Sequence, residues 1–181
     1  MRIATRAAAA GDVTPARRGP SFDLVSHWRI DAPVQAVWAA LTEPAFWPYW
    51  WPYVRGVRTV RAGGADGVGA IRRIDWRTRL PYSLAIEVEA VECVPNQLLR
   101  GRSRGQLQGE GLWLLREDGG GTHVTYYWRV TPATRWMRWL TPLLAPLFRW
   151  NHDAVMRAGE AGLRRHLAEL QAEARPAEAM R

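Results

Sequence analysis

Residues Phe148–Leu170 read FRWNHDAVMRAGEAGLRRHLAEL. Phe148, His152, Met156, Gly159, Leu163, Leu167 and Leu170 recur at steps of three and four, which places them on one face of a helix. Arg157, Glu160, Arg164, Arg165 and Glu169 take the opposite face. At about 1.5 Å per residue the stretch is roughly 35 Å long, enough to cross a small domain. Upstream, between Phe22 and Pro132, the periodicity is mostly two. A long amphipathic helix preceded by a run of strands calls for a sheet that wraps around it.

The upstream segments supply that sheet. Leu24, Ser26, Trp28 and Ile30 alternate with Asp23, His27, Arg29 and Asp31, which predicts a first strand with His27 toward solvent. Asp31 followed by Pro33 predicts a helix start, with Asp31 as the capping side chain and Val34, Val37, Trp38 and Leu41 as the apolar stripe. Thr42 and Pro44 end it. The run PAFWPYWWPYV, Pro44–Val54, holds three prolines, too many for a long regular helix. It predicts a kinked helical turn whose aromatics, Phe46, Trp47, Tyr49, Trp50, Trp51 and Tyr53, outnumber the inward positions of one turn. Some of them face a groove, a cavity mouth or water.

Six further strands follow: Gly56–Arg61, Val68–Arg77, Tyr82–Ala90, Leu98–Gly105, Leu107–Arg116 and Val124–Val130. Turns at Gly63–Gly67, Arg79–Pro81, Pro95–Asn96 and Asp118–Gly121 separate most of them. Arg100, Arg102 and Arg104 share a face and are expected to pair with Glu87 and Glu89. After Pro132 comes RWMRWLTPLLAPLFRW, Arg135–Trp150, which Pro142 and Pro146 should break. It reads as a loosely helical lead-in to the long helix. Its Trp, Leu and Arg content also suits a weak membrane-surface contact through Trp136 to Trp150. Hairpin-connected strands and a terminal helix make an α+β fold with an antiparallel sheet.

Composition narrows the function classes. A chain of 181 residues suits one domain, here residues 21–171, with a disordered tail at 1–20 and a flexible one at 172–181. The 11 tryptophans supply enough apolar area for a few residues to dominate the core. The net charge of +8 rests on arginine alone. Acidic residues interleave with it, no basic run exceeds a pair, and no nucleic-acid-binding motif is present, so nucleic acid is not the expected partner. No apolar run nears the ~20 residues of a membrane span, and residues 1–20 lack the core of a signal peptide. With a single Cys93, the expected compartment is the cytoplasm.

This element order resembles the helix-grip superfamily of START domains, birch-pollen-allergen proteins and polyketide cyclases, the SRPBCC proteins. The residues that carry the resemblance are DAPVQAVWAALTEPAFWPYWWP, RRIDWRTRLPYSLAIEVEAVE, LQGEGLWLLREDGGGTHVTYYWRV and FRWNHDAVMRAGEAGLRRHL, together spanning about Phe22–Leu170. The resemblance implies a curved sheet of about seven strands around the terminal helix. A cavity between them would take a hydrophobic small molecule. On that fold the cavity residues are Trp38, Leu41, Ile74, Trp76, Leu84, Ile86, Val88, Trp113, Tyr126, Trp128, His152, Met156 and Gly159. Gly101, Gly105, Gly109 and Gly111 either leave inner-face space or mark bulges, and Gly159 and Gly162 serve close packing or leave room for a ligand.

The sequence holds no GxSxG, no HExxH and no phosphate-cradling loop, and its four histidines lack metal spacing. Neither a metal nor a cofactor is expected. Cys93 has no placeable histidine partner. His152, Asn151 and Arg72 are the polar groups that can face the cavity, and His152 and Arg72 are the catalytic candidates. The preferred reading of each is plainer: His152 as a helix-start histidine bonded to a nearby carbonyl, and Arg72 as a residue near a strand end reaching water. The preferred function is a non-enzymatic carrier or sensor of a lipid-like or polyketide-like molecule. The alternative is a cofactor-independent polyketide cyclase or dehydratase, and a second alternative is a membrane-surface module. The sequence leaves the oligomeric state open.

Overall fold

The computed structural model describes residues 21–77, 83–133 and 135–179, and of 135–144 and 174–179 the backbone alone. Residues 1–20, the turn at Arg79–Pro81 and Tyr82 lie outside the described residues. The elements in chain order are β1 (Phe22–Ile30), α1 (Val34–Thr42), a 3-10 turn (Pro44–Phe46), α2 (Trp47–Trp50), β2 (Val54–Arg61), β3 (Ile71–Arg77), β4 (Ser83–Val94), β5 (Leu98–Gly105), β6 (Leu107–Asp118), β7 (Gly121–Pro132) and α3 (Arg135–Ala179). Seven strands form one antiparallel sheet in the order β1-β7-β6-β5-β4-β3-β2. This is an α+β helix-grip fold: α1 and α2 leave the sheet after β1, and α3 packs against β1, β7, α1 and α2.

Alternation along the strands decides which face meets the helix. Phe22, Trp28 and Ile30 are buried on β1 while Asp23, Val25, His27 and Arg29 are exposed. On α3, Met156, Leu163 and Leu167 are buried and Leu170 is 48% exposed, so the apolar stripe stays covered only as far as Leu167. The polar face of α3 also has a structural task. Glu160 accepts the backbone N–H of Arg29 (3.0 Å), and Arg164 donates to the Arg29 carbonyl (2.7 Å) while pairing with Glu160 (2.8 Å). These contacts satisfy main-chain groups on the outer side of edge strand β1.

Several sequence expectations need correction. Asp31 does not cap α1: Pro33 is the N-cap and no side chain bonds there. Asp31 lies two residues before that position, too far back for the usual cap bond to the first free N–H groups. Strand β3 starts at Ile71 rather than Val68, because Gly67 and Gly69 adopt φ of +80° and +81°, which an extended strand does not. Pro142 and Pro146 do not break the last helix, which runs unbroken from Arg135 to Ala179. Each proline deletes one backbone hydrogen bond but leaves the flanking turns bonded. Residues 172–179, read as tail, are helical.

The cross-strand charges follow the expected face with a shifted register. Glu87 lies opposite Arg104, and Glu89 opposite Arg102. The ion pairs formed are Arg104–Glu89 (3.3 Å), Arg61–Glu89 (2.9 Å) and Arg100–Glu92 (3.1 Å). All three involve exposed or half-exposed groups, and each contributes at most about 1 kcal/mol.

Candidate functional site

The run Pro44–Val54 divides its aromatics sharply. Trp47, Trp50 and Trp51 are buried, whereas Phe46 and Tyr49 are 53% and 81% exposed. Trp51 follows α2 with an extended backbone, and this turns its ring into the core. There it meets Trp28, Trp47, Trp50, Trp76 and Trp113 at centroid distances of 5.1–6.4 Å. Its indole N–H donates to the Val155 carbonyl of α3 (2.9 Å). Gly159 permits that approach: a Cβ there would sit 2.5 Å from Trp51 Cε2. At Gly162 a Cβ would sit 1.7 Å from the Trp50 carbonyl oxygen. Both helix glycines therefore serve close packing.

Above this tryptophan cluster, between sheet and α3, lies a cavity of about 530 Å³. Strand β3 contributes Arg72, Ile74 and Trp76, and β4 contributes Leu84, Ile86, Val88 and Ala90. Trp113, Tyr126 and Trp128 line it from β6 and β7, and Trp38 and Leu41 from α1. Asn151, His152, Val155 and Met156 face it from α3. Every cavity residue read from the sequence is on this wall except Gly159, which packs on Trp51. Reading the sequence missed Trp47 and Trp51, which also line the cavity. Their only signal was aromatic density in a segment without periodicity.

The inner face of the sheet is aromatic where it meets the cavity. Tyr126 stacks on Trp113 (3.9 Å, 22°) and on Trp128 (5.8 Å, 28°). Burial pushes the Tyr126 phenol well above its ordinary pKa, so it stays protonated. Gly101 and Gly111 lie opposite each other on β5 and β6. The space they leave is taken by neighbours: added Cβ atoms would meet Val88 at 2.6 Å and the Tyr126 hydroxyl at 2.8 Å.

His152 sits within α3, not at its start, and its contact is the Ser26 hydroxyl of β1 at 3.4 Å rather than a carbonyl. Burial lowers its pKa to about 4, with Asp153 opposing the shift. The imidazole is therefore neutral at pH 7. Because the folded value lies below the unfolded one, the unfolded chain binds more protons between about pH 6.5 and 4. Stability contributed by neutral His152 is full above pH 6.5 and lost as pH falls toward 4. The loss is of order 3 kcal/mol at about 1.4 kcal/mol per pH unit. Urea unfolding across that range is expected to show this slope in the wild type and a flatter one in His152→Phe.

Arg72 donates from Nη1 to the Arg61 carbonyl (3.2 Å), which draws its guanidinium toward edge strand β2. Cys93 also lines the cavity. A bulge between Ala90 and Glu92 adds one residue and reverses the alternation, turning Cys93 to the inner face. Burial first, then Asp66 and Glu92, raises its thiol pKa, which makes it a poor nucleophile. Among the described residues no three or more His, Cys, Asp or Glu gather as metal ligands. No helix among them is long and apolar enough to cross a membrane.

No curated protein matches the sequence. Solved structures share the fold. A START superfamily protein from Mycobacterium smegmatis matches at TM-score 0.68 and 12% identity, over 82% of this chain and 98% of that one. The Zhui aromatase/cyclase from Streptomyces sp. R1128 matches at 0.63 and 11%, over 81% and 93%. The di-domain aromatase/cyclase BexL from the BE-7585A biosynthetic pathway matches at 0.63 and 20%, over 81% of this chain. The chain spans about half of that di-domain protein, 50% of its length. Residues 22–175 match the family model described as polyketide cyclase / dehydrase and lipid transport. With the whole described sheet and the cavity-lining part of α3 inside that match, the chain belongs to the polyketide cyclase / dehydrase and lipid transport family.

Proposed function

We propose that this protein binds and carries a hydrophobic small molecule in the cavity between the sheet and α3. The observation that carries the reading is the cavity itself: about 530 Å³, walled by Trp, Tyr, Leu, Ile and Val with few polar groups. That volume and lining suit a drug-sized apolar or aromatic molecule. The test is titration with the neutral probe N-phenyl-1-naphthylamine. Saturable one-to-one binding is expected. Ala90→Phe, which places a ring inside the cavity, should weaken it about tenfold or more while the far-UV circular dichroism stays unchanged. A wild-type protein that takes up no probe overturns the reading.

A second reading, cyclase-type turnover of a polyketide-like substrate, is favoured by one observation: Arg72 and His152 both stand on the cavity wall. An imidazole with a pKa near 4 is neutral at pH 7, so it has no imidazolium proton to give as a general acid and is a weak general base. That property gives the carrier reading the greater weight. Turnover lost in Arg72→Ala and His152→Ala, with folding preserved, would reverse the order.

A further inference from the structure

The face of the sheet turned away from α3 carries two unlike bands. In register across β1, β7 and β6, Val25 stands beside Tyr127 and Leu112. Two residues along the strands, on the same face, Leu114 stands beside Leu98 and Val94. Val25 and Tyr127 are 50% and 44% exposed, and the other four are half-buried. None of these side chains packs on the core or lines the cavity. Strand alternation leaves an outward sheet face polar unless something covers it, so a contiguous apolar band there marks a contact surface. Two residues the other way, a row of charges crosses the same face: Asp23, Arg129, Glu110, Arg102 and Glu89. Their signs alternate from strand to strand. Arg129 pairs with Asp23, and Glu89 with Arg61 and Arg104. Glu110 and Arg102, both exposed and directly opposite each other, form no ion pair among the described residues.

We propose that two copies of the chain meet on this face as a two-fold dimer, with the axis parallel to the strands between β6 and β7. A row of alternating charge is self-complementary about an axis midway between two strands. About that axis β7 of one copy lies over β6 of the other, and β1 over β5. Arg129 then faces Glu110 of the second copy, and Arg102 faces its Asp23, each contact occurring twice. Tyr127 covers Leu112 of the second copy, and Leu114 lies over its Thr125. An axis through β6 itself would set Arg129 against Arg102, so the charges fix the register. The row beyond the apolar band, Arg29, His123 and Arg116, is basic and marks the rim where the twisted sheets part. This apolar centre is small beside the ~20–30 residues a side of a standard interface, so the expected Kd is about 10 µM. The cavity lies on the opposite face of the sheet, so the inference goes beyond the carrier reading and stands without it.

Sedimentation equilibrium of the full chain between about 1 and about 100 µM reads the association. The wild type is expected to dimerise. Glu110→Arg and Arg129→Glu, each alone, set like charges against each other across the axis and should weaken the dimer about tenfold or more. Mixed one to one, the two variants should form a heterodimer of near wild-type affinity, because each reversed charge then meets its complement. An effect on the chain's own fold would not produce that rescue. Leu112→Glu should also be monomeric, with uptake of N-phenyl-1-naphthylamine unchanged. Val60→Glu, on edge strand β2 and 51% exposed, should dimerise as the wild type does. A wild type that is monomeric at about 100 µM, or single variants that do not recover on mixing, would overturn the proposal. A monomer whose retention on anionic lipid vesicles is lost in Leu112→Glu would overturn it too, and give the patch to a membrane instead.

Discussion

Gly162→Ala is expected to destabilise the fold by about 3 kcal/mol or more, although alanine is the better helix former by about 1 kcal/mol. The added Cβ would lie 1.7 Å from the Trp50 carbonyl oxygen. That atom belongs to the backbone and cannot rotate aside, so α2 must lift from α3. Once α2 lifts, Trp50 and Trp51 lose their seats, and with them part of the floor of the cavity. Ala161→Gly, one residue earlier on the exposed face, is the control and should cost only about 1 kcal/mol. Chemical denaturation of both variants separates the effects. A Gly162→Ala protein as stable as the wild type would show that α2 and α3 are not in this contact.

Trp51→Ala should cost about 4 kcal/mol, at the upper end of large-to-small core substitutions. The side chain is 1% exposed and touches five other indoles. Its removal also leaves the Val155 carbonyl without the indole donor. Trp51→Phe should fall between, restoring most of the ring packing but not that bond. Urea unfolding gives the magnitudes, and near-ultraviolet circular dichroism reports loss of the stacked indoles. A cost below about 1 kcal/mol for Trp51→Ala would mean the cluster repacks freely, against the close packing described.

The parts of the fold governed by a repeating period were legible in the sequence. Helix spacing from Phe148 to Leu167 and strand alternation from Phe22 to Val130 each follow one geometric rule, and both give the right faces. Most of the cavity wall followed, because Ile74, Trp76, Ile86, Trp113 and Trp128 alternate on strands whose inner face is fixed by burial. Features that depend on single, non-repeating events were not legible. Trp51 points inward because of one extended residue after a one-turn helix. Cys93 faces inward because one bulge inverts the parity of β4. The unbroken α3 depends on how much two prolines cost against the turns around them, a balance that local pattern does not contain.

The cavity as a carrier site is tested most directly by native mass spectrometry of the freshly purified protein, followed by organic extraction of whatever it releases. The expected result is one apolar molecule per chain, lost on extraction and retaken on titration. A chain that is empty as purified and takes up neither that extract nor a neutral naphthalene probe would contradict the account.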